Sequence, residues 1–132
     1  MPTEPLSKRL IRLVSSLAMV AIGVLHFVRP EGFVKIVPAF LPAPLFLVYL
    51  SGFFEIAGGL GLLLERTRRL AGLGLIALYV AVFPANINMA INGIQPADSH
   101  LPTAALWLRL PFQALFIGVA WWLSRPAKAK KP

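Results

Sequence analysis

Residues 51–64, SGFFEIAGGLGLLL, place one carboxylate, Glu55, inside an uncharged apolar run of chain. Whether this is a strand, a soluble core helix or a membrane span decides the fold. Fourteen such residues with four glycines and no β-branched cluster fit poorly with a strand, and the run extends from Leu45 to Leu64 with no charged residue other than Glu55. That length matches a bilayer core, which needs about 20 helical residues. At 100° per residue, positions three and four apart share a face. Ser51, Gly52, Gly58, Gly59 and Leu62 fall on the face of Glu55, while Phe46, Phe53, Leu60 and Leu64 fall opposite. Small residues let helices approach closely in a membrane, and large apolar side chains are content in lipid. The pattern therefore turns Glu55 inward.

The whole chain agrees. It has 132 residues, enough for one domain spanning 1–132. Apolar residues make up 58% and charged residues 14%, against a usual apolar share near 45–50%. Too few polar side chains exist to cover a water-facing surface, so most of the exterior is expected to face lipid. Further apolar runs lie at Leu13–Val28, Leu70–Ile91 and Ala104–Leu123. The expected architecture is an all-α, four-helix transmembrane bundle with spans at about 10–28, 45–64, 70–91 and 104–123. Arg12 and Arg29 are expected to snorkel from the ends of the shortest run. Lys8 and Arg9 ahead of that run resemble the start of a signal peptide, but no small-residue cleavage site follows convincingly, so an uncleaved first helix is preferred.

The net charge of +8 lies at the ends of the apolar runs, which argues for membrane anchoring and against nucleic acid. Ten basic residues fall on the side of the termini: Lys8, Arg9, Arg12, Arg66, Arg68, Arg69, Arg125, Lys128, Lys130 and Lys131. Arg29 and Lys35 fall opposite, and Arg109 is left inside the fourth span. This asymmetry predicts both termini in the cytoplasm, and a bacterial inner membrane is the expected location. Trp121 and Trp122 then sit at the inner interface and Trp107 near the outer one. The tail AKAKKP reads as an anchor to anionic lipid.

Polar residues gather towards the outer half. Gln113 lies at nearly the depth of Glu55, and Arg109 about 7 Å higher at 1.5 Å per residue, a gap an extended arginine can largely close. Arg109 and Gln113 are four apart and share a face; Asn86 shares one with Gly72, Tyr79, Phe83 and Ala90; His26 lies with Ser15, Met19, Ile22 and Gly23. Asn88 cannot share the face of Asn86 and is assigned to the outer interface. Pro84 and Pro111 free the carbonyls of Val80 and Trp107. Above them runs RPEGFVKIVPAFLPAP (29–44), apolar but too rich in proline for a long helix. It reads either as a lid over the bundle mouth or as a stiff connector. The candidate ligand-binding residues are His26, Ser51, Glu55, Tyr79, Asn86, Arg109 and Gln113. Glu55 has two readings that do not exclude each other: a ligand-facing acid, or a Glu55–Arg109 pair fixing helix register.

Other chemistry finds less support. The absence of cysteine removes disulfides, thiolate metal sites and iron–sulfur clusters, and no metal site is expected. Haem held by His26 and His100 is the poorer fit, since a histidine at a helix end is more commonly an interfacial residue. His100 beside Asp98 and Ser99 matches a catalytic triad in composition but lacks a nucleophile motif. The GGLG at 58–61 follows no strand and reads as helix packing rather than phosphate binding.

Three stretches carry a family resemblance: GVLHFVRPEGFVKIVPAFLPAP (23–44), YLSGFFEIAGGLGLL (49–63) and RRLAGLGLIALYVAVFPANINMAI (68–91). Their His-Phe-x-x-Pro, Ser-Gly-x-x-Glu and Pro-Ala-Asn-Ile elements resemble the DoxX-like family of small four-helix membrane proteins. The resemblance covers roughly half the chain and puts His26, Glu55, Pro84 and Asn86 on characteristic positions. It implies a membrane subunit associated with redox partners, or an assembly chaperone for membrane proteins. The lack of cysteine separates this chain from any relative that uses thiol chemistry. The expected function is accordingly a redox-associated accessory subunit, at most part of a membrane oxidoreductase, that binds a quinone or similar small apolar ligand in the outer polar pocket. A non-enzymatic chaperone or assembly factor that holds a partner helix on the same polar face is the alternative, and a homo-oligomer is among the expected partners. A small transporter with Glu55 as proton carrier ranks third, because one acid in a short chain gives it little to work with.

Overall fold

The computed structural model describes residues 4–94 and 101–126. The loop bearing Asp98, Ser99 and His100 and the tail bearing Lys128, Lys130 and Lys131 lie outside the described residues. Five helices form: α1 (Leu6–Val28), the single turn α2 (Glu31–Val34), α3 (Pro44–Leu63), α4 (Arg68–Asn92) and α5 (Thr103–Ser124). The four long ones are each long and apolar enough to cross a membrane. The expected all-α four-helix bundle is met, with α2 as a fifth, short element.

Local signals explain the breaks. Pro44 opens α3 at the first helical turn, where its missing N–H costs nothing, and the left-handed Ala43 before it (φ 50°) redirects the chain. Gly93 ends α4 with φ 62°, a conformation that favours glycine, and its N–H bonds the Met89 carbonyl. Between α3 and α4 the Thr67 hydroxyl donates to Gly61 O at 2.8 Å, and Arg68 Nε donates to Leu62 O at 2.9 Å. Carbonyls that have no donor within α3 are satisfied by the first residues of the next helix.

Packing follows chain order: α1 lies against α3, α3 against α4, and α4 against α5. The α1–α3 crossing is a glycine seam. A Cβ on Gly23 would come within 2.9 Å of Gly52 O, and one on Gly52 within 2.9 Å of Gly23 O. Further along, Gly59 meets the Ser16 backbone, Gly58 receives the Leu75 side chain from α4, and Gly72 of α4 abuts Ser124 of α5. Absent side chains let the helices approach, and dispersion then holds them together where lipid offers little hydrophobic drive. Phe46, Phe53, Leu60 and Leu64 all face outward, as the helical phase of α3 requires.

Two apolar clusters divide the bundle along its length. Towards the termini, Met19, Leu62, Leu75 and Ala120 bring one residue from each long helix into a single core. At the opposite end, Met89, Ala90 and Leu106 join only α4 and α5, with Ile36 of the loop packed against them. Among the described residues no buried apolar cluster unites all four helices at that end, and polar side chains occupy the space between the pairs.

The buried stripe of α1 is Lys8, Arg12, Ser16, Met19, Gly23 and His26. It differs from the expected face: Ser16 replaces Ser15, and Ile22 points outward. Arg12 also departs from its expected role. It is 4% exposed and turned into the bundle rather than towards headgroups. The physical reason is the C-terminus of α5, whose last carbonyls lack intrahelical donors and carry partial negative charge. Arg12 donates to Leu123 O at 3.0 Å and Lys8 to Arg125 O at 3.2 Å.

Candidate functional site

The expected site residues separate into two groups at the end away from the termini. On the α1–α3 side stand His26 and Glu55, both buried. His26 Nδ1 donates to the carbonyl of Ile22 at 2.8 Å. A carbonyl can only accept, so Nδ1 carries the proton, and in the neutral ring Nε2 is left as an acceptor. A Glu55 oxygen lies 3.9 Å from Nδ1, too far for a hydrogen bond. Gly52 permits this approach, because a Cβ there would come within 2.6 Å of the His26 Cβ. The acid therefore has the imidazole beside it without being neutralised by it.

The α4–α5 side carries amides. Asn86 Nδ2 donates to Gln113 Oε1, and Gln113 Nε2 donates to the carbonyl of Tyr79 at 2.5 Å. Gln113 thus uses both ends of its amide to tie α5 to α4. The carbonyl it reaches is that of Tyr79, next to the Val80 carbonyl freed by Pro84. Tyr79 is half-buried on the same helix, and Glu55 is near enough to act on its phenol electrostatically. Among the described residues no hydrogen bond reaches the Glu55 carboxyl, the Tyr79 hydroxyl or the half-buried Ser51.

Residues 30–38 roof this space. Phe33 of α2 stacks on His26 with centroids 3.8 Å apart and planes 15° apart. On the far side, Asn88 Nδ2 donates to Ile36 O at 3.1 Å, and Asn92 braces Asn88 from one turn on. The segment is pinned to α1 by a ring stack and to α4 by an amide. Both sequence readings of this loop, lid and stiff connector, fit that geometry.

Arg109 stands apart. It is exposed on α5, and among the described residues no carboxylate lies within ion-pair distance of it. The expected Glu55–Arg109 pair is absent. Arg109 and Gln113 share a phase of α5, which runs unbroken from Thr103 to Ser124, so phase alone does not separate them. A long charged arm also gains by leaving the apolar interior, whereas a short amide does not.

Two participants escaped the sequence reading. Asn88 was assigned to the interface, yet its hydrogen bond holds the loop. Phe33 was seen only as one of several apolar loop residues, and no periodicity in a proline-rich segment singles out the ring that meets His26.

Fold and site together define an integral membrane protein of four spans with a roofed, partly unsatisfied polar cluster between two helix pairs. A family model described as "Domain of unknown function (DUF8561)" matches residues 15–124, and the chain belongs to that family. Neither the curated proteins nor the solved structures contain a match to this chain.

Proposed function

We propose that this protein is a DoxX-like accessory subunit of a membrane redox system that holds a quinone, or a small apolar molecule of similar shape, beneath the lid. The observation that carries this reading is that, among the described residues, Glu55, the Tyr79 hydroxyl and His26 Nε2 have no hydrogen-bond partner, while Phe33 stacks on His26. A buried polar group without a partner costs about 1–3 kcal/mol, and a ligand that supplies the missing hydrogen bonds recovers that energy. A quinone offers carbonyl oxygens for the Tyr79 hydroxyl and a flat ring for stacking beside Phe33. Its reduced form offers hydroxyls for Glu55 and His26 Nε2. The amide group of Asn86 and Gln113 serves as the rigid wall of the site, since its hydrogen bonds are already used.

In this reading both termini face the cytoplasm of a bacterial inner membrane, as the ten-to-two distribution of basic residues supports. The lid then lies at the outer leaflet. Electron transfer belongs to a redox partner, and this chain binds and positions.

The test is extraction and mass spectrometry of the protein purified in native membrane patches. Prenylated quinone should be enriched over the bulk lipid extract in wild type. It should fall by about tenfold in Glu55→Ala, which corresponds to ~1.4 kcal/mol. Equal quinone content in wild type, Glu55→Ala and bulk lipid would overturn the reading.

One observation favours a second reading, that of an assembly factor. Arg109 is an exposed cation on a span, and a helix of another membrane protein bearing an acid would satisfy it. Cross-linking from position 109 that recovers one defined partner, lost in Arg109→Gln, would support it.

A further inference from the structure

The end of the bundle near the termini holds a second charged cluster, unconnected with the lid. Three cations meet there. Lys8 and Arg12 project from successive turns of α1, and Arg68 begins α4 close enough for Arg12 and Glu4 to act on it electrostatically. Glu4 faces them, and Glu65 acts on Arg68 as well. The Glu4 carboxylate accepts from both terminal nitrogens of Arg12 at 2.5 Å and lies 3.7 Å from Lys8 Nζ. This two-pronged contact on a guanidinium fork is the geometry in which arginine also takes phosphate.

Two features show that Glu4 does not fill the bay. The Arg12 Nε and the Ser16 Oγ one turn deeper are fully enclosed and have no hydrogen-bond partner. Lys8 and Arg12 also face Glu4 as their acidic neighbour, Glu65 acts on Arg68 alone, and the C-terminal carbonyls of α3 and α5 offset only part of the positive excess. Glu4 precedes the first helix, so its carboxylate can leave without unwinding a span.

We propose that the bay framed by Lys8, Arg12 and Arg68 is a phosphate-binding site, in which the Glu4 carboxylate stands where the phosphate of an anionic lipid headgroup or of a soluble phosphate would bind. The site faces the membrane surface on the side of the termini, where a lipid phosphodiester is at hand, and Trp121 and Trp122 flank it. Arg125 lies 4.1 Å over the Trp121 ring and Lys8 5.4 Å over that of Trp122. Glu4 acts as an internal competitor that keeps the cations paired when no phosphate is bound.

The test is thermal unfolding of the full chain in neutral detergent, titrated separately with phosphatidylglycerol, phosphatidylcholine and inorganic phosphate. Glu4→Gln removes the competitor, and the apparent affinity for the phosphate ligand should rise about fivefold over wild type. Lys8→Gln should lower it about fivefold, the factor associated with one basic residue at a membrane surface. Stabilisation by phosphatidylglycerol but not by inorganic phosphate assigns the site to a headgroup, and stabilisation by both assigns it to phosphate as such. Stabilisation by phosphatidylcholine equal to that by phosphatidylglycerol, or identical titrations for wild type and Glu4→Gln, would overturn the proposal. Arg12 is left intact because it also caps α5, so loss of fold does not obscure the result.

Discussion

Each end of this bundle sets an acid next to a nitrogen base, and the two pairs are built differently. At the termini, Glu4 meets Arg12 through two hydrogen bonds, and Lys8 and Arg68 surround them. At the lid, Glu55 and His26 stand 3.9 Å apart with the imidazole proton committed to Ile22. The first arrangement ties the start of α1 to the end of α5. The second ties nothing. A hydrogen-bonded charge pair holds structure, while an acid beside a neutral imidazole with no bond between them leaves polar atoms without protein partners.

Breaking the closed pair should produce the largest effect. Arg12→Ala removes the partner of Glu4, the donor to Leu123 O and the link between α1 and α5. A loss of about 3 kcal/mol is expected, read as a fall in the thermal midpoint in detergent. A loss no larger than that of a surface substitution would erase the distinction between the two ends. Next comes Gly52→Val in the seam that carries the open pair. Its Cβ meets the Gly23 carbonyl and the His26 Cβ, so α1 and α3 must separate, at ~1–3 kcal/mol. The same variant should also lose ligand, because Glu55 and His26 move apart together with their helices.

The difference between the ends also governs what was legible beforehand. Helical phase placed Glu55 inward and Phe53 and Leu60 outward, because both follow from side-chain size along an unbroken helix. The same reasoning failed for Arg109, where a long flexible arm chooses its own direction. It also failed for Arg12. Composition marks an arginine at a span end as a surface anchor, and only the tertiary arrangement brings the bare carbonyls of α5 to it. Glu4 drew no notice because it lies outside every apolar run. Its role depends on Arg12, eight residues later, reaching back along the helix. The lid carried no periodic signal, so the pairing of Phe33 with His26 had to await the fold.

Two smaller effects sharpen the contrast. Gln113→Leu on α5 preserves size but leaves Asn86 Nδ2 and a second bond to Tyr79 O unmade. The expected cost is ~1–2 kcal/mol, with the wall of the site loosened and ligand retention reduced. The terminal pair should show a modest acid sensitivity. The Arg12 hydrogen bonds hold the Glu4 carboxyl below its ordinary value of 4.5, against the opposing pull of burial. A depressed carboxyl stabilises the fold fully above the unfolded value and loses that contribution as pH falls through the folded one. Thermal midpoints should therefore decline below about pH 4.5, and the decline should be shallower in Glu4→Gln. Identical acid profiles would show that Glu4 contributes nothing to the closed pair.

The smallest effect on stability is expected at Glu55, the acid of the proposed binding site. Glu55→Gln keeps the shape of the side chain and, among the described residues, breaks no hydrogen bond. It removes only a carboxyl that already lacks a partner, so unfolding should shift by less than ~0.5 kcal/mol. Ligand retention should fall all the same, because an amide cannot replace a carboxyl that exchanges a proton with its ligand. The combination of intact stability and lost ligand is what an open pair requires. A Glu55→Gln protein that unfolds as readily as Arg12→Ala would show the lid end to be a structural clamp like the other. One that is both stable and fully loaded with ligand would move the binding site away from Glu55 altogether.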